Sequence, residues 1–303
     1  VTLQALIERG GARVEQHAAF GERTTYRVGG RVRVFVTLSD VGDLDELGPL
    51  LAGCGLPVVV LGNGSNLLVA DGEVAAVGVH LTGEFSGLHW RDEGGEVIVA
   101  AGAALDLPVA ARRLAGEGIV GFEWAVGVPG TFGGAVAMNA GGHGSDMAAS
   151  VIEASVWRDG AIDRLKHQDL GFGYRQSALR PGDVVIEVFL RLERGDAPAA
   201  RQRISEIVRW RRENQPGGAN AGSVFQNPPD APAGQLIERA GCKGLRIGSA
   251  TVSEKHANFI LVDAGGRAGD VFALLEEVKK RVFETSGVTL RSEHRLIGFE
   301  VRP

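Results

Sequence analysis

Apolar residues recur along the chain with two periods, and the period separates strand from helix. The runs VVVL (58–61), AVGVHL (76–81), EVIVAAGA (96–103) and VVIEVFLRL (184–192) are β-branched and bounded by turn formers, which predicts strands. A helical period runs instead through Val271, Leu274, Leu275, Val278 and Val282. Asp270 is placed to cap that helix, Gly287 to end it, and Glu276 with Lys280 to pair across one turn. A second helix is predicted over 199–213, with Ile204, Ile207 and Val208 inward and arginines outward, and the polar ERGDAPA before it marks a boundary. A third follows Pro232 and ends at Gly241. Strands and helices in this arrangement predict an α+β protein.

A chain of 303 residues calls for two or three domains. It holds no run of eighteen apolar residues, and VTLQALIERGGARVEQ lacks a basic region followed by an apolar stretch and cleavage site, so a cytoplasmic protein without membrane contact is expected. Two cysteines, Cys54 and Cys242, are too few for a disulfide framework or a cysteine zinc site and read as small core residues. The net charge of -5 argues against a nucleic-acid surface, while local arginine clusters still suit a small anion.

Composition changes the picture at one point, the 45 glycines. They are not periodic, which excludes collagen and repeat arrays, and they cluster beside apolar runs. LGNGSNLLV (61–69) places Gly62, Gly64, Ser65 and Asn66 in a sharp turn after a strand, where successive N–H groups form a concave anion site. A plain turn between strands fits that stretch equally well by itself. AVGVPGTFGGAVAMNAGGHG (125–144) shifts the balance, because it has so little side chain that a long ligand lies easily along its backbone. Neither matches GxGxxG at a strand-to-helix junction or GxxxxGK[ST]. Together they suggest a dinucleotide pyrophosphate held by main-chain donors. His143, in the second loop, reads as a solvated loop histidine ahead of a ligand or a covalent attachment point, and no histidine pair has metal-site spacing.

Three further stretches carry polar chemistry. GFGYRQSAL (171–179) sets Tyr174 and Arg175 beside glycines, GANAGSVFQNPP holds Ser223, and RSEHRLIGF (291–299) places Glu293 and Arg295 on one face of a last strand. Ser223 lacks a GxSxG elbow, so a nucleophile is not indicated. Taken singly these residues read as surface ion pairs and a turn-capping serine. As a set they match what a carboxylate substrate needs: a guanidinium fork, a carboxyl group able to share a proton, and a hydroxyl to deliver one.

LGNGSNLL, GFEWAVGVPGTFGGAVAMNAGG, GFGYRQSAL, NAGSVFQNP, GCKGLRIGSATVSEKHANFI and SEHRLIGF occur in that order. Together, from TTYRVGG at 24–30 onward, they resemble the UDP-N-acetylenolpyruvoylglucosamine reductase family, in its shorter second type. The resemblance implies a three-domain flavoenzyme like the vanillyl-alcohol-oxidase-type FAD-binding fold with an added α+β substrate domain. The implied limits are 1–70 plus 291–303 and 71–203 for the FAD-binding subdomains, and 204–290 for the substrate domain. It implies FAD and NADPH as cofactors, a UDP-sugar as partner and a monomer. Arg175, Ser223 and Glu293 match the family's catalytic positions. Gly62, Asn63, Gly64, Ser65, Asn66, Gly127, Val128, Pro129, Gly130, Gly133, Gly134, Ala135, Asn139, Gly141 and Arg295 match cofactor-binding stretches, and Tyr174, Asn227, Lys255 and His256 fall where substrate is met.

Two positions depart from the family pattern. Gln226 stands where lysine is usual and Asp263 where asparagine is usual, leaving Lys243, Arg246 and Lys255 as candidates to meet the diphosphate. The implied chemistry adds hydride to an enolpyruvyl double bond, with Arg175 and Glu293 stabilising the enolate and Ser223 returning a proton. A flavin oxidase or dehydrogenase of the same superfamily, with flavin attached through a residue such as His143, is the rival enzyme. A UDP-sugar or flavin binding protein without turnover is the non-catalytic one. A nucleotide-sugar transferase fits less well, lacking a DxD-like pair.

Overall fold

The computed structural model describes residues 2–300. They form two compact units, each with its own apolar core. The first takes the chain up to Gln16 with Val34–Gly62 and Ala76–Arg211; the second takes His17–Arg33, Asn63–Ala75 and the chain from Arg212 onward.

The first unit is organised on an antiparallel sheet in the order Ala161–Lys166, Val151–Arg158, Val184–Arg194, Glu96–Gly102, Leu88–Glu93. Its middle strand, Val184–Arg194, alternates buried and open positions and supplies Val184, Val188, Leu190 and Leu192 to the core. Val58–Leu61 pairs in parallel with the strand Glu73–Leu81 through Val77 to His80. Helices Val41–Gly53 and Leu107–Gly116 bury Leu44, Leu47, Leu51, Leu107 and Leu114 in the same core. Gly48 belongs to this packing, since a Cβ there would lie 2.5 Å from the Trp157 ring. All four expected strands are present, the second and fourth longer than the pattern indicated. Cys54 and Cys242 are both buried as free thiols.

The second unit rests on the helix Ala268–Ser286, whose buried Val271, Leu274, Leu275, Val278 and Val282 are the residues the helical period picked out. Gly287 ends it in the left-handed conformation, φ 72°. Its start differs from expectation. Asp270 lies inside the first turn, and its carboxylate accepts from the Ser249 N–H and hydroxyl at 2.8 and 2.7 Å. The first amides are met by Asp71, almost two hundred residues earlier, which accepts from Ala268 N at 3.1 Å and Gly269 N at 3.0 Å. A carboxylate from another segment thus satisfies donors that the helix cannot, and faces the positive end of its dipole. Glu276 meets Lys279 rather than Lys280, and Lys280 turns to Glu284.

Two short sheets complete this unit: Arg246–Ile247, Ala250–Val252 and Ile260–Val262 in antiparallel order, and Arg295–Ile297 in parallel with Leu67–Val69. The predicted helices over 199–213 and after Pro232 appear as Ala197–Asn214 and Ala233–Arg239, the first burying Ile204 and Ile207.

Replacing the distant cap tests its contribution. Asp71→Ala is expected to lower unfolding free energy by about 1 kcal/mol, and Asp71→Asn by less because the acceptor is kept. Urea titration followed by far-UV circular dichroism measures both.

Candidate active site

Tyr174 and Arg175 form the tip of a two-residue turn in the first unit. Gly173 and Gln176 close it with N–H to carbonyl bonds of 3.0 and 3.3 Å, one in each direction. Arg175 takes φ 57°, a left-handed conformation that costs a non-glycine residue about 1 kcal/mol or more. Its guanidinium donates to the Gly141 carbonyl at 3.0 Å and lies over the Tyr174 ring, 5.4 Å from the centroid. Tyr174 is 56% exposed.

The turn is held from below by a buried amide. Asn139 Nδ2 donates to the Gly173 carbonyl at 3.0 Å and to Asp146 at 3.2 Å, while its Oδ1 accepts from Ala148 N at 3.0 Å. The side chain that sequence matching assigned to cofactor contact therefore ties together the turn carrying Arg175 and the segment 146–148.

The glycine loop of this unit is anchored on one side. Leu107 N donates to Gly130 O, Phe132 N to Leu105 O and Gly133 N to Ala103 O, at 2.9 to 3.0 Å. Gly133 packs closely, a Cβ there lying 3.2 Å from Ala103. At Gly134 and Gly142 an added Cβ would meet no described atom nearer than 3.8 and 3.7 Å. At these two glycines a Cβ would make only ordinary van der Waals contact, so the unit's own packing does not demand glycine there.

His143 is not the solvated histidine expected. It takes φ 53° and is half-buried, with its ring edge-on to Trp210 at 5.2 Å. It fills the place of the side chain Gly127 lacks, where a Cβ would come within 2.6 Å of the imidazole. Burial, with Arg211 and Arg203 nearby, holds its pKa below the ordinary value. Arg211 is itself partly buried, in contrast to the outward arginines predicted for its helix.

In the second unit the structure brings Ser223 and Glu293 onto neighbouring backbone. Glu293 N donates to Val224 O at 2.8 Å, Gln226 N to Arg291 O at 2.9 Å, and Phe225 bridges Ser292 in antiparallel fashion. Asn66 joins this arrangement from the first glycine loop. Its Nδ2 donates to the Glu293 carbonyl at 2.9 Å and its own carbonyl accepts from Arg295 N at 2.9 Å. Gly64 lies against Thr24, whose Cα would be 2.6 Å from a Cβ there, and its carbonyl accepts from Thr25 N at 3.3 Å. Glu293 precedes the strand Arg295–Ile297, separated from Arg295 by a bend at the buried His294.

The remaining residues named from sequence are also in this unit. Asn227 Oδ1 accepts from Ala233 N at 3.0 Å and so begins the helix Ala233–Arg239. Lys255 donates to the Arg212 carbonyl at 2.5 Å. His256 accepts from Asn258 N through Nδ1 at 3.2 Å, and burial together with Lys243 holds its pKa below the ordinary value. Arg246 is paired with Asp263, one of the two departures from the family pattern, and Lys243 with Glu238 at 2.9 Å.

Sequence reasoning missed His294 and Tyr26. Both are buried, their rings meet edge-to-face at 5.5 Å, and Tyr26 Oη and both imidazole nitrogens lack a hydrogen-bond partner among the described residues. Burial holds the His294 imidazole down to about 4, and an approach of the Ala221 backbone that falls short of a hydrogen bond offsets this only in part. An unfolded chain takes up this proton near its ordinary value of 6.5, whereas the folded protein refuses it until about 4. Stability is therefore expected to fall by about 3 kcal/mol as pH drops through that window, and His294→Leu to flatten this part of the profile. Urea unfolding at pH 7 and pH 4.5 on both proteins checks this, and equal losses would remove His294 as the responsible group.

Comparison with known proteins identifies both the C-terminal part of the chain and a stretch nearer its start. Residues 214–297 match the family model of the C-terminal domain of UDP-N-acetylenolpyruvoylglucosamine reductase, and residues 32–161 match an FAD binding domain. The reductase of Rubrobacter xylanophilus is 40% identical over 277 residues, covering 91% of this chain and 92% of that one. The Bacillus subtilis reductase is 36% identical over 301 residues, covering 98% of each. A crystal structure of the reductase from Thermus caldophilus superposes with a TM-score of 0.80 at 37% identity, over 94% of this chain and 99% of that one. Among the described residues no helix is long and apolar enough to cross a membrane.

Proposed function

The chain belongs to the UDP-N-acetylenolpyruvoylglucosamine reductase family of FAD-dependent oxidoreductases, and from this premise we propose that it reduces UDP-N-acetylglucosamine enolpyruvate to UDP-N-acetylmuramate with NADPH. The setting is peptidoglycan precursor synthesis in the cytoplasm, with the protein acting as a monomer on a small-molecule UDP-sugar. The reading keeps two FAD-binding subdomains, 1–70 plus 291–303 and 71–203, and a substrate domain over 204–290.

The residues present suit FAD. Gly62, Gly127, Val128, Pro129, Gly130, Gly133, Gly134, Ala135 and Gly141, with Asn63, Gly64, Ser65, Asn66 and Arg295, are the residues assigned to it. Gly134, a glycine that the unit's own packing does not demand, supports this assignment. When bound, FAD supplies the hydride chemistry between NADPH and the substrate's double bond.

This chain's own residues deal with charge and protons. Hydride arriving at the terminal methylene carbon leaves negative charge on the adjacent carbon and its carboxylate. Arg175 and Glu293, the latter protonated or sharing a proton, stabilise that enolate, an effect worth roughly 3 to 4 kcal/mol per well-placed donor. Ser223 then gives its hydroxyl proton to the α-carbon, which an enolate is basic enough to accept. The observation that carries this reading is the pairing of the Ser223 and Glu293 backbones through Val224 and Ser292. Ser223 and Glu293 thus stand on neighbouring irregular segments of one unit, which supports giving them adjacent roles.

Tyr174, Asn227, Lys255 and His256 are assigned to the substrate. With Lys243 and Arg246 each spent on a carboxylate, Lys255 is the candidate to replace the family's lysine at Gln226. The Arg212 carbonyl that it meets is neutral and leaves the ammonium charge unneutralised by that bond.

An anaerobic two-step absorbance measurement tests the function. NADPH is expected to bleach the flavin band and the enolpyruvyl substrate to restore it. Ser223→Ala should bleach at the normal rate and recover about 100-fold or more slowly, the usual weight of a positioned general acid. Recovery at equal rates in the two proteins would take Ser223 out of the mechanism. The cofactor cradle has its own test. Gly134→Ala should leave the apoprotein's melting temperature unchanged or higher, since alanine favours helix. It should weaken FAD binding about 10-fold, read by flavin fluorescence titration.

A further inference from the structure

We propose that Asn258 is a positioning residue that sets Ser223 for proton delivery through the backbone of Val224 and Phe225. The proposal rests on the reading of Ser223 as the acid.

Asn258 is buried, 4% exposed, in the segment KHANF between Ser253 and the strand Ile260–Val262. Its Oδ1 accepts from Phe225 N at 2.9 Å and its Nδ2 donates to Phe225 O at 2.8 Å. One side-chain amide thereby satisfies both backbone groups of a single residue, as a neighbouring antiparallel strand does. Its main-chain carbonyl adds a third bond, from Val224 N at 2.9 Å. On the opposite edge Val224 O and Gln226 N are taken by Glu293 and Arg291. The two residues after Ser223 are thus clamped on both sides.

The backbone before Ser223 is held differently, with the Ala219 carbonyl accepting from Val262 N at 3.2 Å. Gly222 takes φ 75° and Gly218 φ 84°, and Asn220 folds back on both, accepting from Gly222 N and donating to Gly218 O at 3.0 Å. The serine therefore hangs from the Val224–Phe225 side, and its hydroxyl is as well placed as that anchor. A displacement of about 1 Å at a reacting group costs on the order of 100-fold in rate.

Asn258 is itself fixed. Ser253 Oγ accepts from Lys255 N and His256 N at 3.1 and 3.2 Å, and Ser253 N donates to Phe259 O at 2.8 Å. His256 Nδ1 accepts from Asn258 N, which requires the neutral ring that burial and Lys243 favour. Asparagine is needed because the pairing takes one donor and one acceptor at one length. Ionised aspartate accepts but cannot donate, and protonated aspartic acid does both.

That difference supplies the test, made on FAD-loaded enzyme. Asn258→Asp is expected to leave flavin reduction by NADPH within about twofold and to slow reoxidation by substrate about 100-fold, in kcat more than KM. The rate should recover as pH falls and the carboxyl becomes protonated. Hydrogen exchange at the Phe225 amide, followed by mass spectrometry, should speed up, while FAD affinity stays within about threefold. In a Ser223→Ala background the same substitution should cost under about threefold more, because both changes act on one proton transfer. Asn258→Ser, shorter and uncharged, should reproduce the slow reoxidation without the recovery at low pH, and serves if the aspartate variant does not fold. Faster Phe225 exchange with normal reoxidation overturns the proposal while sparing the function of Ser223. Normal reoxidation in Ser223→Ala alone overturns the acid reading and this proposal with it. Additive losses in the double variant also overturn it, since Asn258 would then act elsewhere.

Discussion

A reactive side chain on irregular backbone is held only as firmly as that backbone's N–H and carbonyl groups are matched. Here three asparagine amides do the matching. Asn139 bonds the Gly173 carbonyl beneath the turn of Arg175, Asn66 bonds the Glu293 carbonyl, and Asn258 bonds both polar groups of Phe225 beside Ser223. Regular strands cannot serve at these points, because Arg175 sits at a left-handed turn tip and Ser223 follows a glycine with positive φ. A buried amide with one donor end and one acceptor end replaces a strand edge there, and leaving its partners unmatched costs about 1 to 3 kcal/mol per buried group. Asn139 and Asn258 are each only 4% exposed, so water offers little substitute.

The glycines do a different task in the same loops. Gly133 and Gly127 pack closely on neighbours, Ala103 for one and the His143 ring for the other, whereas at Gly134 and Gly142 a Cβ would make only ordinary contact. A glycine count cannot separate these cases. Close packing sets the shape of the loop, and the looser positions are free to serve another purpose. His143 shows how far local reading falls short, since a histidine amid glycines suggests solvent until a ring-sized gap at Gly127 and the edge of Trp210 are seen around it.

Much of the fold was legible because periodicity reports burial directly. The buried stripe of Ala268–Ser286 is the one predicted, and Gly287 ends that helix as a glycine with positive φ should. Its beginning was illegible, since the residue meeting its first amides is Asp71, and nothing in the local sequence announces a cap from so far away. The motifs brought Ser223 and Glu293 into one hypothesis, but their backbone pairing links residues about seventy positions apart and appears only in the fold. Asn258 lies inside KHANF, where Lys255 and His256 are the more conspicuous residues. An asparagine between alanine and phenylalanine, just before an apolar strand, was the available sign of a buried amide in need of partners.

The second unit is assembled from stretches that leave the ribosome at very different times. Tyr26, Val28 and Leu68 belong to the same core as Val278, Val282 and Leu290, and Leu67–Val69 finds its parallel partner only in Arg295–Ile297. During synthesis those early apolar residues wait, uncovered, through more than two hundred further additions, while the first unit's segments are complete by Arg211. Pairings this distant in sequence are slow to close and leave apolar surface exposed meanwhile. The order of manufacture therefore makes the newborn chain most prone to sticking and most in need of chaperones just before its last segment emerges, and that segment brings Glu293.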